Sequence, residues 1–255
     1  MKIAISGKGG VGKTTLTALL AQAWTKDGKK VMAVDADPAG SLARYLRFPN
    51  YDRIKPIIDV PGLVAERTGA QPDKTGQIYK LNPRVSDIPE KFAPIHNGIK
   101  LIVMGRIKSG GSGCACPENT FLKALIQHLI LERNEYLIMD MEAGLEHLGR
   151  GTAQGVNLLL IVIEPSLASI EVARKIKRLA RDIGIKTVAG VANKISSAKD
   201  KKFILTHLKN IKILGFIPFS PITQRRERNN SGQVPERALT DTLNTIRTLI
   251  EPPVK

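Results

Sequence analysis

Cysteine is scarce in this chain of 255 residues, which holds only Cys114 and Cys116. Two thiols are too few to close a tetrahedral metal site within one chain, and their spacing is too short for an easy disulfide. Long apolar runs are also missing, because the longest, residues 158–163, falls far short of a membrane span. The apolar run after Lys2 is too short for a signal peptide. We therefore expect a cytoplasmic protein with no membrane partner.

Aromatic residues make up only 4% of the chain, whereas its net charge is +16. Twelve Lys and Arg residues lie between Arg174 and Lys212, against two acidic residues, Asp182 and Asp200. Such a surface could hold nucleic acid, an anionic membrane or an acidic protein. Because aromatics are few and no Arg/Gly-rich or Lys-rich tail is present, we do not favour nucleic acid and interpret the segment as an ordinary solvated surface.

Apolar runs that could be buried strands alternate with helical patterns. Apolar residues spaced three and four apart predict a helix over residues 167–183. The alternation predicts an α/β fold: a mostly parallel twisted sheet of about seven or eight strands with helices on both faces. Residues 48–99 hold seven of the fifteen prolines and predict an irregular insertion within a single domain, residues 1–255. The predicted strands are residues 2–6, 30–34, 100–104, 136–140, 157–163, 187–192 and 211–216.

The stretch GKGGVGKT, residues 7–14, predicts a phosphate-binding loop, because it follows a strand and opens a helix. Glycines let backbone N–H groups turn toward phosphate oxygens, and the helix N-terminus adds partial positive charge. Lys13 is predicted to reach the β- and γ-phosphates of ATP, and the Thr14 hydroxyl to bind Mg²⁺. The residues predicted to contact nucleotide here are Gly7, Gly9, Gly10, Val11, Gly12, Lys13, Thr14 and Thr15.

Three aspartates follow in the order that a nucleotide site requires. Asp35 and Asp37 come at the end of the second predicted strand, and Asp140 ends a later one. Ligands of open α/β sheets bind at the carboxyl ends of the strands, where a carboxylate can hold a water of Mg²⁺. We predict that Asp140 contributes to binding Mg²⁺ and that these aspartates face the phosphates.

The phosphate loop begins with a second lysine, Lys8, and GKGGVGKTT therefore resembles the deviant Walker A motif of the dimeric ATPases that include nitrogenase iron protein, septum-site ATPases and plasmid-partition ATPases. The resemblance implies that Lys8 reaches across a homodimer to the partner's nucleotide and that Asp37 orients the attacking water. It also implies that Asn193 recognises adenine and that a loop at Ile217–Pro218 flanks the base, so Pro218 joins the predicted nucleotide contacts.

Three further stretches, GRIKSGGSGCACPEN, DMEAGLEHLGRGTA and EPSLASIEVAR, closely resemble the ATPases that mature the nickel enzymes carbon monoxide dehydrogenase and acetyl-CoA synthase. The resemblance extends over nearly the whole chain. It implies a nickel-containing client of that kind and identifies Cys114 and Cys116 as a metal-binding motif. From the residues alone, metal binding, catalysis and burial as small apolar side chains all stay open for these thiols.

Physical chemistry agrees with the metal-binding interpretation. Cys116 precedes Pro117, a favoured first helical residue, and a helix N-terminus favours the thiolate form of a nearby cysteine. Apolar residues at 121, 122, 125 and 129 predict the inward face of that helix. Thiolates suit Ni²⁺ and Zn²⁺. Two thiolates leave the metal half-ligated, so a two-fold dimer would complete a four-sulfur site that bridges two subunits.

Two other functions fit parts of this sequence. A partition-type ATPase that coats DNA would use the basic surface but leave the cysteine pair unexplained. An electron-transfer iron protein could share a [4Fe–4S] cluster between subunits, but that group takes its cysteines from distant parts of the chain. His96, His128, His147 and His207 have no zinc-like spacing to the cysteines and are interpreted as ordinary residues.

Overall fold

The computed structural model describes residues 1–37, 40–70, 78–106, 117–133, 135–145, 148, 150–219 and 244. The strands that it describes are Lys2–Gly7 (β1), Val31–Ala36 (β2), Ile95–His96 (β3), Ile99–Val103 (β4), Tyr136–Met141 (β5), Leu158–Ile163 (β6), Val188–Ile195 (β7) and Lys212–Pro218 (β8). The α-helices are Lys13–Lys26 (α1), Leu42–Tyr45 (α2), Leu63–Thr68 (α3), Ile88–Phe92 (α4), Pro117–Leu131 (α5), Arg150–Ala153 (α6), Leu167–Ile183 (α7) and Ala198–His207 (α8).

The eight strands form one sheet in the order β3-β4-β2-β5-β1-β6-β7-β8. Every neighbouring pair in it is parallel except β3 and β4, which are antiparallel. This confirms the predicted α/β fold. The strands β1, β2 and β6 are buried over their whole length, and their residues are mostly apolar without alternation, as expected for strands covered on both faces.

Helices cover both faces of the sheet, and each face has its own apolar core. Ile3 and Ile5 of β1 pack on the face that carries α1 and α2, whereas Ala4 packs on the face that carries α5, α7 and α8. The predicted inward residues of α5, namely Phe121, Leu122, Leu125 and Leu129, are at most 1% exposed. The strand ends are therefore fixed between two packed layers, which holds the carboxyl edge of the sheet in place.

The predicted helix over residues 167–183 is confirmed as α7, with the same bounds. Its start is fixed by the Ser166 hydroxyl, which accepts a hydrogen bond from the Ser169 N–H. Its end is fixed by Gly184, which has a φ of 89°. Among the described residues, no helix is both long enough and apolar enough to cross a membrane.

The structure corrects the sequence-based bounds at three places. The two-residue edge strand β3 was not predicted, and it pairs with the start of β4. Asn193 was expected after its strand but lies within β7, because an irregularity between Ala192 and Ile195 prolongs the pairing with β8. The predicted loop at Ile217–Pro218 is the end of β8.

The proline-rich stretch at residues 48–99 contains short elements where it is described. Besides α3, α4 and β3, these are two 3₁₀ helices, Tyr51–Arg53 and Ile57–Asp59. Ile57, Leu63 and Ile88 pack into the core on the α5 face of the sheet. The stretch therefore covers the β4 side of that face.

Candidate nucleotide-binding site

The segment between β1 and α1 is a glycine-rich loop with unusual backbone angles. The φ values of Gly7, Gly10 and Gly12 are 152°, 76° and 98°. A Cβ atom on Gly7 would lie 2.5 Å from the carbonyl oxygen of Val162, and one on Gly12 would lie 2.5 Å from the Nδ2 atom of Asn193. Both distances are far below van der Waals contact. Glycine at these two positions thus lets the loop lie directly against the ends of β6 and β7.

The first turn of α1 has no side-chain cap. Gly12 is its N-cap, and no acidic residue lies in its first turn. A side-chain cap is likewise missing from the short helices α2, α3 and α4, whereas α7 is capped by Ser166 and α8 by Ser197. The first N–H groups of a helix have no partner within the helix and carry partial positive charge. The start of α1, with the ammonium group of Lys13 beside it, is therefore suited to bind a phosphate group.

Three aspartates lie close together where β2 and β5 end. Asp35 and Asp140 are register partners on these strands, and each is 1% exposed. Asp35 Oδ2 accepts a hydrogen bond from the Leu42 N–H at 2.8 Å, and Oδ1 accepts one from the Asp37 N–H at 3.3 Å. Asp35 thus holds the turn on which Asp37 is placed.

Asp140 is the least compensated of these carboxylates. Neither of its oxygens has a hydrogen-bond partner among the described residues. Burial raises the pKa of Asp140 to about 7, and the Thr14 hydroxyl and the Lys13 ammonium oppose this. Thr14 is near enough to favour the charged form without reaching hydrogen-bond geometry. Burial also raises the pKa of Asp35 to about 6, although the N–H groups of Leu42 and Asp37 lower it.

This arrangement fits a magnesium nucleotide better than a metal held by the protein alone. Among the described residues, no group of three or more His, Cys, Asp or Glu side chains could hold a metal ion. Mg²⁺ prefers a few protein oxygens together with phosphate oxygens and water. The partnerless carboxylate of Asp140 beside the Thr14 hydroxyl supplies such oxygens next to the phosphate loop.

A carboxylate after β6 joins two lysines beside the loop, and we call Lys8, Glu164 and Lys194 the Glu164 cluster. Glu164 Oε1 accepts a hydrogen bond from Lys8 Nζ, and Oε2 accepts one from Lys194 Nζ, each at 3.0 Å. Lys194 Nζ also donates to the carbonyl oxygen of Gly10 at 2.6 Å. Burial acts against the charge of Glu164, but the hydrogen bonds from both lysines outweigh it and lower the pKa of Glu164.

Asn193 also contacts the phosphate loop in this structure. Its Nδ2 atom donates to the carbonyl oxygen of Val11 at 2.7 Å, and its Oδ1 atom accepts from the Lys194 N–H at 2.9 Å. Pro218 lies at the same edge of the sheet, because it is the register partner of Ile195. The adenine contact expected of Asn193 stays a prediction, and the observed contact assigns it a second task, the support of the loop.

The predicted metal ligands, Cys114 and Cys116, lie outside the described residues, as does His147. The chain on either side is described. After β4, Met104 donates its N–H to the carbonyl oxygen of Asp35 at 2.9 Å, and Pro117 begins α5. Because α5 connects two parallel strands, its first turn lies near the carboxyl edge of the sheet. The described residues on the two sides of the cysteine segment thus lie near the edge that carries the aspartates.

Part of the basic surface between Arg174 and Lys212 has a structural task. Arg174 Nη2 donates to the carbonyl oxygen of His207 at 2.8 Å, and Lys177 Nζ donates to the carbonyl oxygen of Asn210. These bonds join α7 to the turn before β8. They support the interpretation of the segment as a solvated surface whose cations also satisfy backbone carbonyls.

Sequence reasoning missed two residues that lie beside this site, Glu164 and Lys194. Glu164 directly follows a buried strand, the position from which Asp140 was inferred, and that signal could have identified it. No such signal exists for Lys194, whose positive φ of 60° turns it toward the loop.

Comparisons with known proteins also indicate a nucleotide-binding domain. The model of the CobQ/CobB/MinD/ParA nucleotide binding domain matches residues 2–234. The carbon monoxide dehydrogenase accessory protein CooC of Rhodospirillum rubrum is 47% identical over 230 residues, which cover 89% of this chain and 87% of that protein. An uncharacterised ATP-binding protein of Methanocaldococcus jannaschii is 45% identical over 222 residues, covering 86% and 85%.

The fold also resembles solved structures. The MinC:MinD cell division protein complex of Aquifex aeolicus aligns with a TM-score of 0.66 and 23% identity, covering 100% of this chain and 98% of that chain. A plasmid partition protein of Borrelia burgdorferi bound to AMPPNP aligns with a TM-score of 0.65 and 17% identity, covering 96% and 97%. At these identities the likeness extends to the fold alone.

Proposed function

This chain belongs to the CobQ/CobB/MinD/ParA family of nucleotide-binding ATPases, and from that premise we propose its specific task. It is a cytoplasmic, homodimeric, metal-binding ATPase that couples ATP binding and hydrolysis to the insertion of nickel into carbon monoxide dehydrogenase or acetyl-CoA synthase. The observation that carries the proposal is its 47% identity to a carbon monoxide dehydrogenase accessory protein over 89% of the chain.

The phosphates of ATP bind at the start of α1 in this proposal. The uncapped N–H groups of α1 and the glycine-rich loop surround them, and the buried Lys13 neutralises charge on the β- and γ-phosphates. Thr14 and Asp140 would hold Mg²⁺ beside them. Bound Mg²⁺ neutralises charge that develops on the phosphates. This explains why two oxygens of a buried carboxylate are left without a protein partner.

Turnover requires two residues near the γ-phosphate. Asp37, held by the turn that Asp35 organises, orients the attacking water. Lys8 acts on the nucleotide of the partner subunit, which makes hydrolysis depend on dimerisation. Asn193 lies near the end of β7 and Pro218 at the end of β8, and both flank the base. Catalysis then consists of positioning and charge neutralisation, as is usual for phosphoryl transfer.

Nickel is the cargo, and Cys114 with Cys116 is half of its site. Two chains contribute four thiolates, which is the donor set that Ni²⁺ and Zn²⁺ accept. The flanks of the cysteine segment support this arrangement, because Met104 is bonded to Asp35, two residues before the proposed water-orienting Asp37. Closure of the dimer around ATP would therefore change how the four thiolates converge.

Metal stoichiometry tests the proposal. Purified protein is titrated with Ni²⁺ or Zn²⁺, and bound metal and molecular mass are followed together. We expect one metal per dimer in the wild type and in the control Ser112→Ala, and none in Cys114→Ser or Cys116→Ser. ATP binding should survive in all four proteins. One metal per monomer, or metal binding that the serine variants retain, would contradict the shared site.

The coupling to a client needs its own experiment. Nickel-free carbon monoxide dehydrogenase is incubated with the nickel-loaded protein and ATP, and recovery of carbon monoxide oxidation is measured. We expect recovery with the wild type and little with Asp37→Asn, which should bind ATP without efficient turnover. Equal recovery with both would separate nickel insertion from hydrolysis and overturn the coupling.

The alternative is a DNA-associated ATPase of the partition type, which the net charge of +16 favours. It predicts DNA binding whose affinity falls steeply with salt. Such binding, unchanged in Cys114→Ser, would favour the alternative over nickel insertion.

A further inference from the structure

We propose that Glu164 is a positioning residue that holds Lys8 within its own chain, so that the release of Lys8 from Glu164 sets how readily two chains pair around ATP. The inference rests on the proposed function, because it takes from it the dimer and the action of Lys8 on the partner's nucleotide. It adds a residue for which neither the sequence motifs nor the family resemblance supplied a task.

Two partners compete for Lys8 in this proposal, Glu164 of its own chain and the nucleotide of the partner subunit. Its ammonium group is 3.0 Å from Glu164 Oε1, and its side chain is 37% exposed, whereas that of Glu164 is 17% exposed. Gly9 and Gly10, which follow Lys8 along the loop, are exposed as well. Lys8 thus lies at the surface of the chain but is tied to it. To reach the phosphates of a partner subunit, Lys8 must break its ion pair with Glu164.

The second lysine makes this release feasible. When Lys8 leaves, Glu164 keeps the ion pair with Lys194 at 3.0 Å, so the carboxylate is not left as an uncompensated half-buried charge. Lys194 is itself fixed by its bond to the carbonyl oxygen of Gly10. The backbone of Glu164 is fixed too, because its N–H donates to Ser169 Oγ at 3.1 Å. One lysine of the Glu164 cluster can leave while the other keeps the carboxylate in place.

The expected effect is modest, since ion pairs with partly exposed side chains contribute little. Glu164→Gln keeps the shape and one acceptor oxygen but removes the charge that retains Lys8. It should lower the protein concentration at which half of the chains are dimeric by about two- to fivefold. The matched control is Glu171→Gln, which removes an exposed carboxylate from the same part of the chain, on α7.

The experiment measures dimerisation by sedimentation at saturating AMPPNP and Mg²⁺, in protein stripped of transition metal so that the cysteine pair does not contribute. Glu164→Gln is compared with the wild type and Glu171→Gln, and then in a Lys8→Ala background. We expect Glu164→Gln alone to promote dimerisation and to have no effect when Lys8 is already absent. Nucleotide affinity of the dilute monomer should stay within about twofold of the wild type.

A purely structural role gives a different result. If Glu164 served only to support the loop through Lys194, Glu164→Gln would weaken nucleotide binding by the monomer and would act equally in the Lys8→Ala background. Either outcome overturns the inference, as does equal dimerisation of Glu164→Gln and Glu171→Gln. A wild type that stays monomeric at saturating nucleotide would instead overturn the proposed dimer, and this inference with it.

Discussion

Asn193→Ala separates two tasks of one side chain, the support of the phosphate loop and the recognition of adenine. In the structure its amide donates to the carbonyl oxygen of Val11 at 2.7 Å. A neutral hydrogen bond contributes about 1 kcal/mol net, and a buried acceptor left without a partner costs about 1–3 kcal/mol. Loss of loop support should therefore weaken nucleotide binding by about 5- to 150-fold, since each 1.4 kcal/mol is a factor of about ten.

The assay is a titration of the variant with ADP and GDP in the presence of Mg²⁺. Loop support predicts the same relative loss for both nucleotides, because the phosphates are common to them. The control is Asn210→Ala, which removes an exposed side chain far from the loop in sequence. A loss confined to ADP would refute loop support and favour the adenine contact. Wild-type affinity for both nucleotides would refute both tasks.

The remaining predictions concern charged side chains around the phosphates. Lys13→Ala should abolish hydrolysis and weaken ATP binding, unlike the control Lys26→Ala at the exposed end of α1; hydrolysis at the wild-type rate would contradict the phosphate contact. Asp37→Asn should bind ATP normally but turn it over much more slowly in a single-turnover assay, and loss of affinity with normal turnover would exclude its task. Asp140→Asn should abolish the stabilisation by Mg²⁺ and nucleotide. Without ligands, the free energy of unfolding of Asp140→Asn at pH 8 should exceed that of the wild type by about 2–4 kcal/mol. The reason is that burial raises the pKa of Asp140 in the folded wild type to about 7, so the wild type loses stability as pH rises from about 4 to 7. Urea unfolding should show the difference vanish near pH 4, and an equal difference at both pH values would contradict it.

The strands could be predicted because their signal is local. Seven apolar runs corresponded to seven of the eight strands that the structure describes, and only the shortest strand was missed. Ile95 and His96 form β3 by pairing with Lys100 and Ile99, and a strand of two residues has no periodicity to detect. The end of β7 was placed too early because the apolar run stops at Ala192, whereas the irregular pairing with β8 continues to Ile195.

The local part of the candidate site could be predicted from the sequence, and its long-range contacts could not. The glycine-rich loop between β1 and α1 was predicted from eight consecutive residues, since its glycines, lysine and threonine form one local unit, and its contacts to phosphate stay a prediction. The Glu164 cluster joins residues that are 156 and 30 positions apart in the sequence. No pattern in one sequence encodes such a contact, because it depends on the order in which β1, β6 and β7 are placed side by side. The support of the loop by Asn193 was missed for the same reason.

The uncapped start of α1 has a consequence for the lifetime of the protein. The start of α1 lacks a side-chain cap, and the buried carboxylate of Asp140 has no hydrogen-bond partner among the described residues. Both features lie at one place, and a single bound ligand would stabilise both. By mass action a nucleotide at 100 times its dissociation constant stabilises the folded state by about 2.7 kcal/mol. Proteases act on opened chains, so the half-life of the protein in a cell should follow the supply of nucleotide. A starved cell would therefore degrade this protein sooner than a protein whose stability does not depend on bound nucleotide.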